Sequence, residues 1–367
     1  MSLPTTSKLL LTVTVALAMT ATAGGAAPSA QTLPQAGAVV GTLPIPPSYG
    51  VLFAPRGRSL FVVDFPQSRV TTIEVLRVNA DRTITRNRVR FDLPDYLADL
   101  SAGPDGLYAG TAVIKRFTKR RDELVRIDAN TLSVRKRVFF PASVAVLERG
   151  RRMWASLGDG RVLRLDPRTL AIDASRRVLS AAARARGAIV SKPAVGLGSL
   201  WVLAGDERDL RFVRMNPITL AIRSTTRIPT NGDLAQALSS VVADSGHVYL
   251  VGHAIAAVDA TGSLIGRPVL VADLETAAIY GNGLVGLTNG KPALVLLDQH
   301  GKLLARTTLR DGGGQLAVSG QNAWFLGDGG KGEGIVHVRL SDARARTRAL
   351  ASRSRTSALR CPKLVTR

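Results

Sequence analysis

Along most of the chain the hydrophobic residues come in short runs, several with strict alternation, each ended by Gly, Pro, Asn, Asp or Ser. That is the signature of strands separated by turns. Helical spacing is nearly absent, and the exception, Leu179 to Arg186, is rich in Ala and Arg and predicts one short helical turn. The strand pattern also repeats. Its first half places an aromatic two residues after a Gly, Ser or polar position, as in Ser59-Leu60-Phe61, Gly106-Leu107-Tyr108, Arg152-Met153-Trp154, Ser199-Leu200-Trp201, His247-Val248-Tyr249 and Asn322-Ala323-Trp324. Gly283-Leu284-Val285 fills a further copy without the aromatic. The second half is an alternating strand closed by an acid or amide, as in Val125-Arg126-Ile127-Asp128, Leu163-Arg164-Leu165-Asp166 and Val213-Arg214-Met215-Asn216.

In those three copies a turn sequence ending in Thr-Leu follows, and an Asp or Asn at its head can bond the backbone amides just ahead of it. The recurring acid therefore reads as a hairpin fastener and not as a ligand. With Asn79, Asp128, Asp166, Asn216, Asp259, Asp298 and Ser341 as equivalent points, the period is about 44 residues, the length of a propeller blade. About seven periods fit between Ala38 and Ser341, each holding four strand patterns. The expected fold is all-β: a seven-bladed β-propeller of four-stranded antiparallel blades. Stacking blades around an axis covers both faces of every sheet and leaves no end blade. The ring is expected to close with Ala38 to Leu43 as the outermost strand of the last blade. The alternative places Ala345 to Leu350 there.

Tyr49 to Asp64 (YGVLFAPRGRSLFVVD) and Leu100 to Tyr108 (LSAGPDGLY), with Pro47, Pro94, Pro141 and Pro229 opening blades, resemble the YVTN type of bacterial propeller repeat. The resemblance covers about 300 residues, and its motifs specify strands and turns. The superfamily it points to, which takes in virginiamycin-lyase-like and quinoprotein-like proteins, spans lyases, lactonases, dehydrogenases and binding modules, so it implies a fold and no single activity.

The N-terminus carries an address. Met1 to Lys8 is short and positive, Leu9 to Met19 is apolar, and Ala21-Thr22-Ala23 suits a signal peptidase. The expected division is a signal peptide over 1–23, a flexible leader over 24–37, the propeller over 38–341 and a basic tail over 342–367, giving a secreted or extracytoplasmic monomer. The apolar run is shorter than the roughly 20 residues a spanning helix needs. Cys361 is the only cysteine, so an intramolecular disulfide is excluded and packing must carry stability.

Composition adds a charge imbalance: 49 Lys and Arg against 27 Asp and Glu, a net charge of +22. The densest cluster is Lys115, Arg116, Lys119, Arg120 and Arg121, and the tail adds Arg353, Arg355, Arg360 and Lys363 among others. These are the candidate anion-binding residues, suited to an anionic envelope polymer, a lipid or another protein; nucleic acid is a poor partner for an exported chain. Projecting the repeat onto a propeller places Asp64, Asp95, Asp159, Asp206, Asp233, His253, Glu275 and Asp311 at the channel mouth, the face that usually holds ligands. No cofactor is expected. Carboxylates gathered there would suit Ca²⁺ or Mg²⁺, although Gly158-Asp159-Gly160 is equally an ordinary tight turn. No nucleophile elbow, paired metal histidines or phosphate loop is present. The reading is a non-enzymatic binding or scaffold module of the cell envelope; the alternative is a metal-dependent lyase or lactonase acting at the channel mouth.

Overall fold

A computed structural model describes residues 33–44, 51–56, 59–64, 72–78, 84–90, 96–104, 106–112, 122–149, 151–206, 208–228, 238–271, 274–288, 291–328 and 333–341. In chain order the strands are β1 (Gly37–Pro44); β2 to β5 (Val51–Arg56, Ser59–Asp64, Thr72–Val78, Ile84–Arg90); β6 to β9 (Tyr96–Gly103, Gly106–Ala112, Asp122–Ile127, Val134–Phe140); and β10 to β13 (Val144–Arg149, Arg152–Leu157, Arg161–Leu165, Ile172–Arg177). After helix α1 (Ala181–Ala185) come β14 to β18 (Ile189–Val190, Ala194–Gly196, Ser199–Gly205, Arg211–Met215, Ile222–Arg227) and β19 to β22 (Leu238–Ala243, Val248–Gly252, Ala254–Val258, Leu264–Leu270). The chain ends with β23 to β26 (Leu274–Tyr280, Gly283–Thr288, Ala293–Leu297, Leu303–Thr308) and β27 to β29 (Asp311–Ser319, Asn322–Asp328, Glu333–Leu340).

Among the described residues these strands form seven antiparallel sheets: β2–β5, β6–β9, β10–β13, β14–β18, β19–β22, β23–β26, and β27–β29 completed by β1. Six have four strands. The fourth has five because its innermost strand is split into β14 and β15, both paired with β16. The innermost strand of each sheet lies next to that of its neighbour along most of the series, and β27 of the last sheet lies against β2 of the first. Each sheet thus has a neighbour on both faces. For that reason second strands such as β16 and β24 are buried along their whole length and read as unbroken apolar runs, whereas outer strands such as β13 and β18 are mostly exposed.

The repeated aromatics Phe61, Tyr108, Trp154, Trp201, Tyr249 and Trp324 all fall on second strands, with Val285 at the equivalent place in the sixth sheet. In the first four sheets the residue directly across on the third strand is an arginine: Arg77, Arg126, Arg164 and Arg214. Each reaches into the next sheet. Arg77 Nη1 donates to the Ala129 carbonyl at 3.2 Å, Arg126 Nη1 to that of Arg168 at 2.8 Å, Arg164 Nη1 to that of Ile218, and Arg214 Nη1 to that of Thr261 at 3.5 Å. Tyr108 and Trp154 do likewise, donating to the carbonyls of Pro167 at 2.9 Å and Pro217 at 2.8 Å.

These acceptors sit in the Asp or Asn turns. Asp128 Oδ1 accepts from the amides of Asn130 and Thr131, both at 2.9 Å, and Asp166 and Asn216 repeat the arrangement. Drawing the amides inward leaves neighbouring carbonyls facing outward, where the arginine of the preceding sheet meets them. The turn is therefore both a fastener within one hairpin and a socket for the next. Part of the excess positive charge is thereby structural.

Those turn carboxylates also set an acid limit. Hydrogen bonds from the Thr131 and Asn130 amides hold Asp128 well below the ordinary 3.8, and Thr169 does the same for Asp166. A depressed carboxylate contributes stability that is complete above its unfolded pKa and lost as pH falls through its folded one. Asn216 fills the same role without a charge. The double variant D128N/D166N is expected to be less stable than the native protein at pH 7 and to lose less stability between pH 5 and pH 2 (about the span of carboxylate titration), followed as the urea midpoint. Superimposable pH profiles would remove the turns from acid stability.

At closure, β1 pairs β29 from Gly37 opposite Leu340 to Pro44 opposite Gly334, with a bulge between Val39 and Gly41. The outer position is thus taken by the N-terminal strand, and the alternative, Ala345 to Leu350, lies outside the described residues. The packed chain begins earlier than Ala38: Ala36 is fully buried, its amide donates to Thr307 Oγ1 at 3.0 Å, and its carbonyl accepts from the Ser341 amide at 3.0 Å. Residues 33–37, assigned to the leader, therefore belong with the sheets. The signal peptide and the basic tail lie outside the described residues, and no described helix is long and apolar enough to cross a membrane.

Candidate functional site

Positions shared by every sheet are accounted for by packing, so the place where the repeat breaks is the place to look for a site. It lies between β13 and β16. The Ala-rich run there forms α1, capped by Ser180 Oγ, which accepts from the Ala183 amide at 3.1 Å, and the helix gives way at Gly187, whose φ is +85°. Ser191-Lys192-Pro193 then interrupts the inner strand. The Ser191 amide donates to the Leu203 carbonyl at 2.8 Å while Ser191 Oγ accepts from the Leu203 amide at 2.9 Å, so a side chain stands in for the missing ladder bond. Lys192, freed from the ladder, reaches the second sheet, where its Nζ donates to Asp99 Oδ1 at 2.8 Å and to the Leu100 carbonyl at 3.1 Å. The other Asp99 oxygen accepts from the Val146 amide of the third sheet at 2.6 Å, and the three sheets are tied at one carboxylate.

Beside this insert is a cavity of about 660 Å³. One wall is Arg186, Gly187, Ile189 and Ser191 of the insert, and another is the β16–β17 connection, with Asp206 and Arg208. Leu203, Leu210 and Leu238 give it an apolar lining. The Asp206 carboxylate is already engaged: Oδ2 accepts from Arg186 Nε at 2.8 Å, and Oδ1 from the amides of Arg208 at 2.9 Å and Asp209 at 3.0 Å. The Arg186 guanidinium, followed by those amides, holds the Asp206 carboxyl below the usual carboxylate range.

Of the channel-mouth candidates among the described residues, Asp206 is the one that lines this cavity. Asp159 is occupied in its own hairpin, where Arg161 Nε donates to it at 2.8 Å. His253 is an exposed residue between β20 and β21, and Glu275 sits exposed on the bulge of β23. Asp64 ends β3 and Asp311 begins β27, while Asp95 and Asp233 lie outside the described residues. Among the described residues no three His, Cys, Asp or Glu side chains are grouped to hold a metal ion. All nine anion-binding candidates, Lys115, Arg116, Lys119, Arg120, Arg121, Arg353, Arg355, Arg360 and Lys363, lie outside the described residues.

Arg186, Ile189, Lys192 and Arg208 went unnoticed as site residues. The signal for them was in the repeat itself, since the step from Asp166 to Asn216 is the longest between successive turn markers.

No protein-family model matches the chain, and no curated protein does. Solved structures do match it. BamB from Moraxella catarrhalis superposes with a TM-score of 0.51 at 14% identity, over 79% of this chain and 96% of that one. The WD40 β-propeller domain of Doa1 gives 0.57 at 11% identity, over 85% and 99%. BBS1N, solved in complex with ARL6DN, gives 0.57 at 10% identity, over 85% and 99%. At such identities the likeness shows the fold alone. The chain is an all-β propeller of four-stranded antiparallel blades.

Proposed function

We propose that this all-β chain is a secreted, seven-bladed propeller that works as a non-catalytic binding module of the cell envelope, holding an anionic polymer or lipid through its basic segments. The observation that carries this reading is the charge balance, 49 Lys and Arg against 27 Asp and Glu, with Lys115, Arg116, Lys119, Arg120 and Arg121 gathered within seven residues of chain. A surface of that sign draws polyanions. The propeller neighbours support a binding role, since BBS1N was solved with a protein partner.

The test compares the full chain with one ending at Ser341 for retention on isolated envelopes across a salt series. Exposed charges are screened beyond about 8 Å at physiological ionic strength, so the full chain is expected to be retained several-fold better at low salt and to lose that advantage as salt rises. Equal retention of the two chains overturns the role of the tail, and retention indifferent to salt overturns the basic-segment reading. Lactone or lyase turnover dependent on Ca²⁺ or Mg²⁺ would overturn its non-catalytic part.

A further inference from the structure

We propose that the cavity beside α1 binds a small amphipathic anion, a carboxylate or phosphate ester carrying an alkyl or aryl body. None of its lining residues belongs to the basic segments above. Its volume, about 660 Å³, falls among ordinary small-molecule sites, which span about 300–1,000 Å³. Leu203, Leu210 and Leu238 are at most 8% exposed and offer a fixed apolar surface, while Ile189, on the strand paired with β16, stands 66% exposed at its side. An isoleucine held that far into solvent gains from a ligand that covers it.

The charge at the rim selects the sign of the ligand. Arg186 meets Asp206 through Nε, and its two terminal nitrogens bond no other described residue. Arg208 adds an exposed cation to the lining. Just outside, Arg211 lies directly across from Arg227 with Asp209 shared between them, an arrangement of like charges that costs stability unless further anionic charge comes near. Because both Asp206 oxygens are occupied, the carboxylate positions Arg186 and does not itself invite a cation.

The wall is built and not improvised. Gly205 has φ +146°, and a Cβ there would come within 2.0 Å of the Asp209 carbonyl oxygen, so only glycine allows the β16–β17 connection to fold back along the cavity. Apolar body inside and anionic head at the arginines is the one orientation that satisfies both surfaces.

Titration calorimetry on the full chain tests this with octyl phosphate as the probe, and with inorganic phosphate and octyl glucoside as its two halves. Octyl phosphate is expected to bind at least about tenfold more tightly than either half. I189D and R208E, both at exposed positions, are expected to weaken it by about tenfold while leaving the melting temperature unchanged. Octyl glucoside binding as well as octyl phosphate, unaltered binding by the variants, or no heat at millimolar octyl phosphate would each overturn the site. Flotation with anionic phospholipid vesicles separates the sources. Flotation lost in I189D/R208E supports a membrane lipid as the natural ligand, and monomer binding without flotation supports a soluble anion.

Discussion

A chain lacking residues 1–44 is expected to melt far below the full-length protein. Removing β1 takes away the ladder from Gly37 to Pro44, the buried Ala36 and its bonds to Thr307 and Ser341, and leaves β29 as an open edge. With a net worth of about 1 kcal/mol per backbone hydrogen bond, the loss is on the order of 5 kcal/mol. In a domain this large that lowers the melting temperature by roughly 10 °C. The uncovered edge also invites pairing between molecules, so light scattering should rise with the transition. A peptide spanning residues 33–44, added in trans, is expected to restore part of the loss because the vacated edge is specific in register. An unchanged melt, or a peptide without effect, would mean that another segment holds the outer position.

The second large effect belongs to Trp201, which has no exposed surface, stacks on Phe212 at 4.8 Å with 6° between rings, and donates Nε1–H to the Gly196 carbonyl at 2.8 Å. Trp201→Ala is expected to cost about 3–5 kcal/mol, since the surrounding strands cannot collapse into so large a void. Val285 occupies the equivalent place in the sixth sheet and is equally buried, yet Val285→Ala should cost only about 1–2 kcal/mol, in proportion to the carbon removed. Urea unfolding of the two variants checks both values. Equal losses would show that the two positions, alike in topology, are not loaded as their burial indicates.

How far the site was legible follows from the same contrast between repeated and unrepeated residues. The aromatic of six second strands and the Asp turn recur in the sequence because every sheet faces the same packing problem. Asp206 and the short helix were visible too, the first as an acid in a loop on the expected face, the second through its Ala and Arg run. Arg186, Ile189 and Arg208 carry no pattern of their own. They lie within one stretch of chain, but Leu238 comes from the next sheet, and nothing along the sequence says that β19 will form the remaining wall. The carboxylates show the opposite limit. Their projection onto one face was a matter of repeat geometry, but whether their oxygens converge or turn back on their own amides depends on side-chain directions that the period does not specify.

By itself the sequence left open which of two segments closes the last sheet, but it determined the strand content, the 44-residue period, the aromatic positions and the fastening role of the turn acids. Those follow from local rules: alternation sets which side chains face inward, and Asp or Asn binds amides two or three residues ahead whatever surrounds it. The tertiary structure alone decided that Arg77, Arg126, Arg164 and Arg214 join one sheet to the next, and that Lys192 crosses to Asp99. It also decided that a break in the repeat opens a cavity. Each of these joins residues about 50 or more apart in the chain, or on separate sheets, and such contacts exist only once closure has fixed the distance between neighbours.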